Sequence, residues 1–222
     1  MKQIFLMITG LLLLNSSFAQ SERYTKAMTE KVAAVDTVRT VDGWRDVANA
    51  FERIAEAEKT QWLPYYYAAL AQTNVGYFSM SGDVMAGNMA TTLDPLADKA
   101  ETLLAKAREL RGKEDAELYI LEKMIATLRM SADPMNRYMQ YGPMAAKALA
   151  KAKALDAENP RVYLLEGQDK LYTPEQFGGS KTEAKKLFEG SIARYETHKP
   201  ETALSPRWGK GTAVYMLGTA SK

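Results

Sequence analysis

The sequence contains no cysteine and a single histidine, His198, among its 222 residues. The lack of cysteine excludes disulfide bonds, cysteine-based zinc sites, thiol catalysis and a lipid anchor on cysteine. With one histidine, a multi-histidine metal site cannot form, and a Ser–His–Asp triad would have to use His198. Neither sign of charge is in large excess, since 29 basic residues balance 27 acidic ones. This balance gives no indication of a nucleic-acid partner.

Long apolar runs are scarce as well. The run at residues 4–14 is shorter than the about 20 residues that a transmembrane helix needs. Lys2 precedes this run, and Ser17-Phe18-Ala19 places small residues at the two positions that a signal peptidase reads. We therefore expect a signal peptide at 1–19 with cleavage near Ala19, and a periplasmic or secreted mature chain without a membrane span.

Strand patterns are missing too, because apolar residues recur at intervals of three and four, as in α-helices. Five of the eight prolines follow a residue type that caps helix N-termini, and proline suits the first helical position. These pairs are Asp94-Pro95, Asp133-Pro134, Asn159-Pro160, Thr173-Pro174 and Ser205-Pro206. Capping boxes are predicted at Ser180 with Glu183 and at Thr173 with Gln176, separated by a left-handed turn at Gly178-Gly179.

The predicted fold class is all-α, with about nine helices. Their predicted ranges are 22–37, 43–59, 62–79, 94–110, 114–131, 135–155, 160–172, 181–197 and 206–219. Glycine and proline at Tyr141-Gly142-Pro143 indicate an interruption of the sixth helix.

Three of these helices share a pattern of small, large and small residues, in which the small residues lie seven apart on one face. The instances are Ala100-Leu104-Ala107, Ala145-Leu149-Ala152 and Ala184-Phe188-Ser191. A neighbouring helix can approach closely at the small residues, while the large residue fills the remaining space. After the second instance, a linker at 155–160 leads to Tyr163 and Gly167.

Over about 62–219 this arrangement resembles tetratricopeptide-repeat (TPR) proteins. The resemblance implies a TPR-like helical-hairpin array, or α-solenoid, with loop insertions that lengthen the usual repeat of about 34 residues. We expect a single domain at 20–222, with a diverged N-terminal hairpin at 20–60, TPR-like pairs at 61–204 and a C-terminal capping helix at 205–222.

Four segments carry a narrower resemblance, to a group of exported, largely uncharacterised bacterial TPR-like proteins. They are Asp133-Pro134-Met135-Asn136-Arg137, Asn159-Pro160-Arg161-Val162-Tyr163, residues 173–181, and Pro206-Arg207-Trp208-Gly209. A fainter likeness is to the TPR-like periplasmic component of some substrate-uptake systems. The first resemblance implies a fold and a location, the second suggests a use, and neither implies catalytic residues.

Aromatic residues at the start of the third helix are the main candidates for ligand or partner binding. Trp62 is followed by Tyr65, Tyr66 and Tyr67, and consecutive residues point about 100° apart on a helix. The three tyrosines therefore cannot all be buried on one stripe, and rings with hydroxyls suit a concave groove. Tyr163 is a further candidate. The alternative is that Trp62 and two tyrosines pack between helices while the third is exposed.

Arginines near helix starts are weaker candidates. Arg137, Arg161 and Arg207 lie near the starts of the sixth, seventh and ninth predicted helices, where free N–H groups could help to hold an anion. The alternative is local ion pairing, for example with Glu158 or Asp169.

No metal, cofactor or catalytic residue is predicted. Met80, Met85 and Met89 could bind Cu(I), but no histidine or cysteine accompanies them, and an adaptable loop, either lid or passive insertion, is the alternative. His198 sits at a helix end without a motif that supplies a nucleophile or an orienting acid.

The leading hypothesis is an exported, non-enzymatic scaffold that binds a peptide, a protein or an extended ligand in a concave groove. The alternative is a periplasmic small-molecule-binding accessory of a substrate-uptake system, which an enclosed apolar cavity would favour. An enzyme would instead need a cleft with convergent titratable groups. The partner itself is not predicted.

Overall fold

A computed structural model describes residues 22–80 and 89–222, which form an all-α array without strands. The predicted signal peptide, its cleavage site and Met85 lie outside the described residues. Within the described ranges no helix has the length and apolar character needed to cross a membrane.

The described ranges contain nine α-helices, as predicted. They are α1 (22–35), α2 (Val41–Ala57), α3 (Trp62–Ser79), α4 (Ala90–Arg111), α5 (Ala116–Ala132), α6 (Pro134–Leu155), α7 (Pro160–Tyr172), α8 (Lys181–Thr197) and α9 (Lys210–Ala220), with a short 3₁₀ helix at Glu175–Phe177. Successive helices pack as hairpins, α3 with α4, α5 with α6 and α7 with α8, while α2 covers α3 and α9 covers α8.

The small residues predicted to form close contacts are all buried, which confirms that part of the pattern. They are Ala100 and Ala107 in α4, Ala145 and Ala152 in α6, and Ala184 and Ser191 in α8. The large residue between each pair, Leu104, Leu149 or Phe188, is buried as well. The second helix of each hairpin therefore presents this face to the core, where small side chains let the helices approach closely.

The helices α3, α5 and α7 run parallel. Near their starts, Glu117 of α5 contacts both Tyr66 of α3 and Arg161 of α7. Farther along, Lys123 of α5 pairs with Asp169 of α7 at 2.7 Å. The three helices therefore end on the same side of the array, which we call the carboxyl edge: residues 78–80, 130–133 and 170–173.

The predicted start of α4 at Asp94 is wrong. The helix begins at Ala90, and Pro95 lies inside it. Asp94 does not cap the helix because its carboxylate is bound by Arg137, with hydrogen bonds of 2.6 and 2.8 Å. A contact between residues far apart in the sequence therefore overrides the local capping pattern.

The predicted start of α9 after Ser205 is also wrong. Ser205 Oγ instead accepts a hydrogen bond of 2.9 Å from the backbone N–H of Thr202. The helix begins only at Lys210, after Gly209 with a φ of 109°. The segment 200–209 thus forms a non-helical strap of bends and turns, and Trp208 reaches from it to Tyr66.

Other predicted helix ends have mixed outcomes. Asn159 and Ser180 cap α7 and α8 through their side chains, as predicted. Thr173 ends α7 and does not cap a helix, because Pro174 precedes only the three-residue 3₁₀ helix. Gly178 adopts the predicted left-handed conformation, with a φ of 93°.

The sixth helix is continuous through Pro143, contrary to the predicted interruption. Proline removes the N–H that would bond to the carbonyl of Met139, four residues earlier. Met139 is exposed, so water can hydrate this carbonyl without a break in the helix.

Gly167 shows how closely α7 approaches α8. A Cβ at this position would lie 2.6 Å from the ring of Phe188, which is fully buried and has no room to move. By contrast, a Cβ at Gly218 in α9 would meet no atom within 4 Å.

We predict that Gly167→Ala lowers the free energy of unfolding, because overpacking costs about 1 to 3 kcal/mol, whereas alanine gains about 1 kcal/mol in helix propensity. Urea denaturation followed by circular dichroism measures the difference. Gly218→Ala is the matched control, and it should be neutral or stabilising. Equal stabilisation by both changes would contradict the close packing of α7 on α8.

Candidate functional site

A buried polar cluster joins the starts of α3, α5 and α7. It comprises Tyr66, Glu117, Asn159, Arg161 and Trp208. Arg161 Nε lies 3.0 and 2.9 Å from the two carboxylate oxygens of Glu117, and its Nη2 makes a further short contact. Asn159 Nδ2 donates to the same carboxylate at 2.6 Å. The carboxylate of Glu117 is therefore held from α7 by two side chains.

The same carboxylate is held from α3. The Tyr66 hydroxyl donates to Glu117 at 3.1 Å and accepts a hydrogen bond of 2.9 Å from Trp208 Nε1. Since Trp208 belongs to the strap before α9, one side-chain network connects α3, α5, α7 and the C-terminal part of the chain.

Burial sets the charges of this cluster. Arg161 is only 1% exposed, and burial alone would lower its pKa, but the charge of Glu117 outweighs this effect and holds the pKa above its ordinary value. Burial, reinforced by the Glu117 charge, raises the pKa of Tyr66. Arg161 is thus cationic and Tyr66 neutral at neutral pH, which is the arrangement that the hydrogen bonds require.

Three of the residues predicted to bind a ligand or partner lie in the core. Besides Tyr66 and Arg161, Tyr67 is buried, stacks on Phe51 with ring centroids 4.9 Å apart, and donates a hydrogen bond to the Leu204 carbonyl. This packing agrees with the alternative considered for the aromatic segment. Contact of these three side chains with a ligand remains a prediction.

Trp62 and Tyr65 are half-buried at the start of α3. The guanidinium of Arg111 lies 4.6 Å from the centroid of the Trp62 ring, in cation–π geometry. Both rings also pack against the hydrophobic core. Parts of their faces remain accessible, so a binding role for them stays open as a prediction.

Tyr163 and Arg137 are engaged in contacts within the chain. The Arg194 guanidinium lies 3.6 Å from the Tyr163 ring centroid, and the Tyr163 hydroxyl donates to the Ala157 carbonyl at 3.0 Å. The hydrogen bond from Arg137 lowers the pKa of Asp94. Arg137 is therefore ion-paired with Asp94 within the chain. Its binding of an anionic ligand remains a prediction.

An exposed aromatic patch lies where α7 ends beside α9. Tyr172, the last residue of α7, is 66% exposed, and Tyr215 of α9 is 71% exposed. The Tyr172 hydroxyl lies 3.4 Å from Met216 Sδ. Partial burial, together with the neighbouring Tyr215, raises the pKa of Tyr172. We call Tyr172, Tyr215 and Met216 the C-terminal aromatic patch.

The surface of α9 beside this patch is unusually open. Gly218 lies three residues after Tyr215, on the same helix face, and has no neighbouring atom near its Cβ position. Glycine in a helix costs about 1 kcal/mol relative to alanine, and packing does not require it here. A flat molecule could therefore approach the α9 backbone next to the Tyr215 ring.

A second exposed apolar surface lies in the first turns of α6, directly after residues 130–133 of the carboxyl edge. Met135 and Met139 are 81% and 82% exposed, and Tyr138 lies between them. These residues are spaced three and four apart, so they share one helix face. We call them the α6 stripe.

Charged features of the described chain are largely paired. A cavity of about 530 Å³ between α7 and α8 is lined mainly by charged side chains, including Asp169, Lys170 and Glu183. Asp169 pairs with Lys123, and Lys170 pairs with Glu183. This cavity is open and formed largely by the stems of charged side chains, unlike the enclosed apolar pocket that would favour a small-molecule carrier.

Metal binding by acidic or histidine side chains finds no support in the described ranges, which contain no group of three such residues. His198 Nε2 lies 3.2 Å from Asp156 Oδ2, at the opposite end of α8 from the carboxyl edge. Met80 and Met89 flank the undescribed segment, so the proposed copper ligands are not tested as a set.

The sequence reasoning missed the C-terminal aromatic patch. A signal was present, because Tyr172 is followed directly by a helix stop at Thr173-Pro174, where a large side chain can extend past the end of the helix.

The fold defines an all-α helical array, with the exposed aromatic patch at its C-terminal end. No protein-family model matches the chain, and no curated protein is similar to it in sequence. The solved structure of the HusA haemophore from Porphyromonas gingivalis does match, with 32% identity and a TM-score of 0.74. The match covers 89% of this chain and 92% of HusA. The chain therefore belongs to the HusA haemophore family.

We predict that Arg161→Met destabilises the protein by about 3 to 5 kcal/mol, because it leaves the Glu117 charge buried without its partner. The double variant Glu117→Gln/Arg161→Met should lose much less than the sum of the two single changes, since the neutral amide that replaces the carboxylate can still bond to Tyr66 and Asn159. Urea denaturation of all four proteins measures this coupling.

Lys210→Met is the matched control for the buried pair, since it removes an exposed ion pair with Glu196. It should change the free energy of unfolding by less than about 1 kcal/mol. Strict additivity of the Glu117 and Arg161 changes would overturn the assigned role of the buried pair.

Proposed function

We propose that the chain is an exported carrier that binds haem on the C-terminal aromatic patch and performs no catalysis. The observation that carries the proposal is the similarity to a haemophore over nine-tenths of both chains, at 32% identity. Of the two functions considered from the sequence, this similarity favours the small-molecule carrier over the peptide-binding scaffold. The signal peptide at 1–19, the TPR-type repeat and the single domain at 20–222 form part of the proposal.

The patch suits haem because haem is a flat, mainly apolar ring that carries two carboxylates and a central iron. Tyr172 and Tyr215 offer aromatic faces, and Met216 offers a polarizable thioether. The open face at Gly218 leaves room for the edge of the ring. Lys222, two residues after the end of α9, would bind a carboxylate, whereas Lys170, two residues before Tyr172, is paired with Glu183 in the free protein.

Release of the cargo is part of a carrier's function, and an exposed site is consistent with it. Buried pockets enclose most of a ligand's surface, whereas the patch covers one face and leaves the other accessible. Such a site transfers its ligand to another protein without unfolding the array.

The α6 stripe favours a second candidate function, binding of a protein or peptide. Exposed methionines adapt to different apolar partners, and Met135 and Met139 are almost fully exposed. This function is compatible with haem carriage, because the stripe and the patch lie on different helices.

We predict that residues 20–222 bind ferric haem, and that Tyr172→Ala and Tyr215→Ala each weaken binding about tenfold, since burial of an aromatic face is worth about 1.5 kcal/mol or more. Titration followed by the Soret absorbance and tryptophan quenching measures the affinity. The double variant Met135→Gln/Met139→Gln is the matched control on the other exposed apolar surface.

Unchanged affinity in the control with weaker binding in both patch variants would support the patch as the site. Loss of affinity in the α6 control alone would move the site to the α6 stripe. Absence of saturable haem binding by the unaltered chain would refute the proposed function.

A further inference from the structure

We propose that two copies of this chain form a symmetric dimer through the outer face of α6. This face comprises Met135, Met139, Pro143, Ala146 and Ala150, all of which are exposed. It includes the two methionines of the α6 stripe and continues from them along the helix. The inference concerns a protein interface and does not depend on haem carriage.

The five residues lie on one side of α6. Successive residues are rotated by about 100° around a helix, which places these five side chains within an arc of about 80°. The buried residues of α6, which are Ala145, Ala148, Leu149 and Ala152, are directed into the array. The outer face is therefore accessible to another molecule without any change in the fold.

The outer face of α6 lacks the charge that the corresponding faces of α4 and α8 carry. The pattern of small, large and small residues aligns Ala145 of α6 with Ala100 of α4 and Ala184 of α8. In this alignment, the positions of Pro143, Ala146 and Ala150 are occupied by Asp98, Glu101 and Ala105 in α4 and by Thr182, Lys185 and Glu189 in α8. These six residues are exposed, and four of them are charged, as is usual for a solvated helix face. An uncharged, apolar face at the same place on α6 indicates a surface that a partner covers.

The size of the face matches that of a stable interface. Met135 and Met139 are 81% and 82% exposed, and the adjoining Tyr138 is 57% exposed. With its polar rim, formed by the exposed Asn136, Gln140 and Lys147, the face offers on the order of 800 Å² per copy, about the area that a standard interface buries on each partner. An apolar centre within a polar rim is also the usual composition of such interfaces.

The order of side-chain sizes makes the face complementary to itself. The large Met135 and Met139 lie toward the start of α6, and the small Ala146 and Ala150 lie farther along. In an antiparallel pair of α6 helices with its two-fold axis between residues 142 and 143, Met135 meets the partner's Ala150. Met139 likewise meets the partner's Ala146. Each large side chain thus fills the space beside a small one, as close packing requires.

This complementarity identifies the occupant as a second copy. At the axis, Gly142 of each copy faces the partner's Pro143, which is again a small residue against a larger one. A parallel pair would instead place methionine against methionine and leave gaps between the alanines. Because the antiparallel pair uses the same face on both copies, association closes at two chains.

Sedimentation equilibrium of residues 20–222 tests the association directly. We expect the mass to rise from one chain to two as the concentration increases, with a dissociation constant of about 10 µM or lower. A single-chain mass at every concentration up to about 100 µM would overturn the inference and assign the face to a different partner.

Ala146→Glu tests the face, since it places a carboxylate against the partner's Met139 and alters only an exposed position of the single chain. We expect the dissociation constant to rise at least about 100-fold, because the charge is buried without a partner. Ala105→Glu, the same change at the corresponding exposed position of α4 to Ala150, is the matched control and should leave the mass unchanged. A dimer that survives Ala146→Glu, or that dissociates equally in the control, would overturn the inference.

The register has a separate test, because the chain contains no cysteine and single cysteines can be introduced cleanly. Chains with Met139→Cys are mixed with chains with Ala146→Cys under oxidising conditions. Positions 139 and 146 face each other across the axis, whereas the two copies of either position lie about 10 Å apart along the helices, beyond the reach of a disulfide. We expect a disulfide-linked dimer in the mixture but not in either variant by itself. No linked dimer in the mixture, or equal linking in one variant by itself, would contradict the antiparallel register.

Discussion

The array depends on one buried ion pair, between Glu117 of α5 and Arg161 of α7. Isolated charges are costly in a protein interior, so each of these side chains requires the other in a fixed position. Because Tyr66 and Trp208 bond to the same network, the pair sets the alignment of α3, α5 and α7 and anchors the strap before α9. Apolar packing alone allows helices to slide, whereas this cluster has one arrangement in which all its members are bonded.

The helical fold was predictable because it follows from local signals. These signals act within one or two helical turns. They are the spacing of apolar residues by three and four, the caps at Asn159 and Ser180, and the small residues that face the core. The incorrect helix starts share one cause. Asp94 and Ser205 have the chemistry of caps, but Arg137 and Thr202 bind their side chains in the folded chain. Capping residues predict a helix start only where no other partner, distant or local, competes for their side chains.

The candidate site was less predictable, because exposure is a property of the folded array. The segment from Trp62 to Tyr67 and the isolated Tyr172 consist of the same kinds of residue. Two tyrosines of that segment became core residues because partners far along the sequence, Glu117 and Leu204, accept their hydroxyl hydrogen bonds. Tyr172 became exposed because α7 ends there. Only the pairing of α7 with α9 brings it next to Tyr215 and Met216.

The parallel course of α3, α5 and α7 has an electrostatic consequence. Each helix carries a macrodipole, equivalent to about half a negative elementary charge at its C-terminal end. Three such ends point to the same side of the molecule, and Tyr172 is the last residue of one of them. Positive charge beside these helix ends is therefore favoured, and negative charge there is disfavoured. The backbone itself thus makes the carboxyl edge an electronegative side of the array, before any side-chain charge is considered.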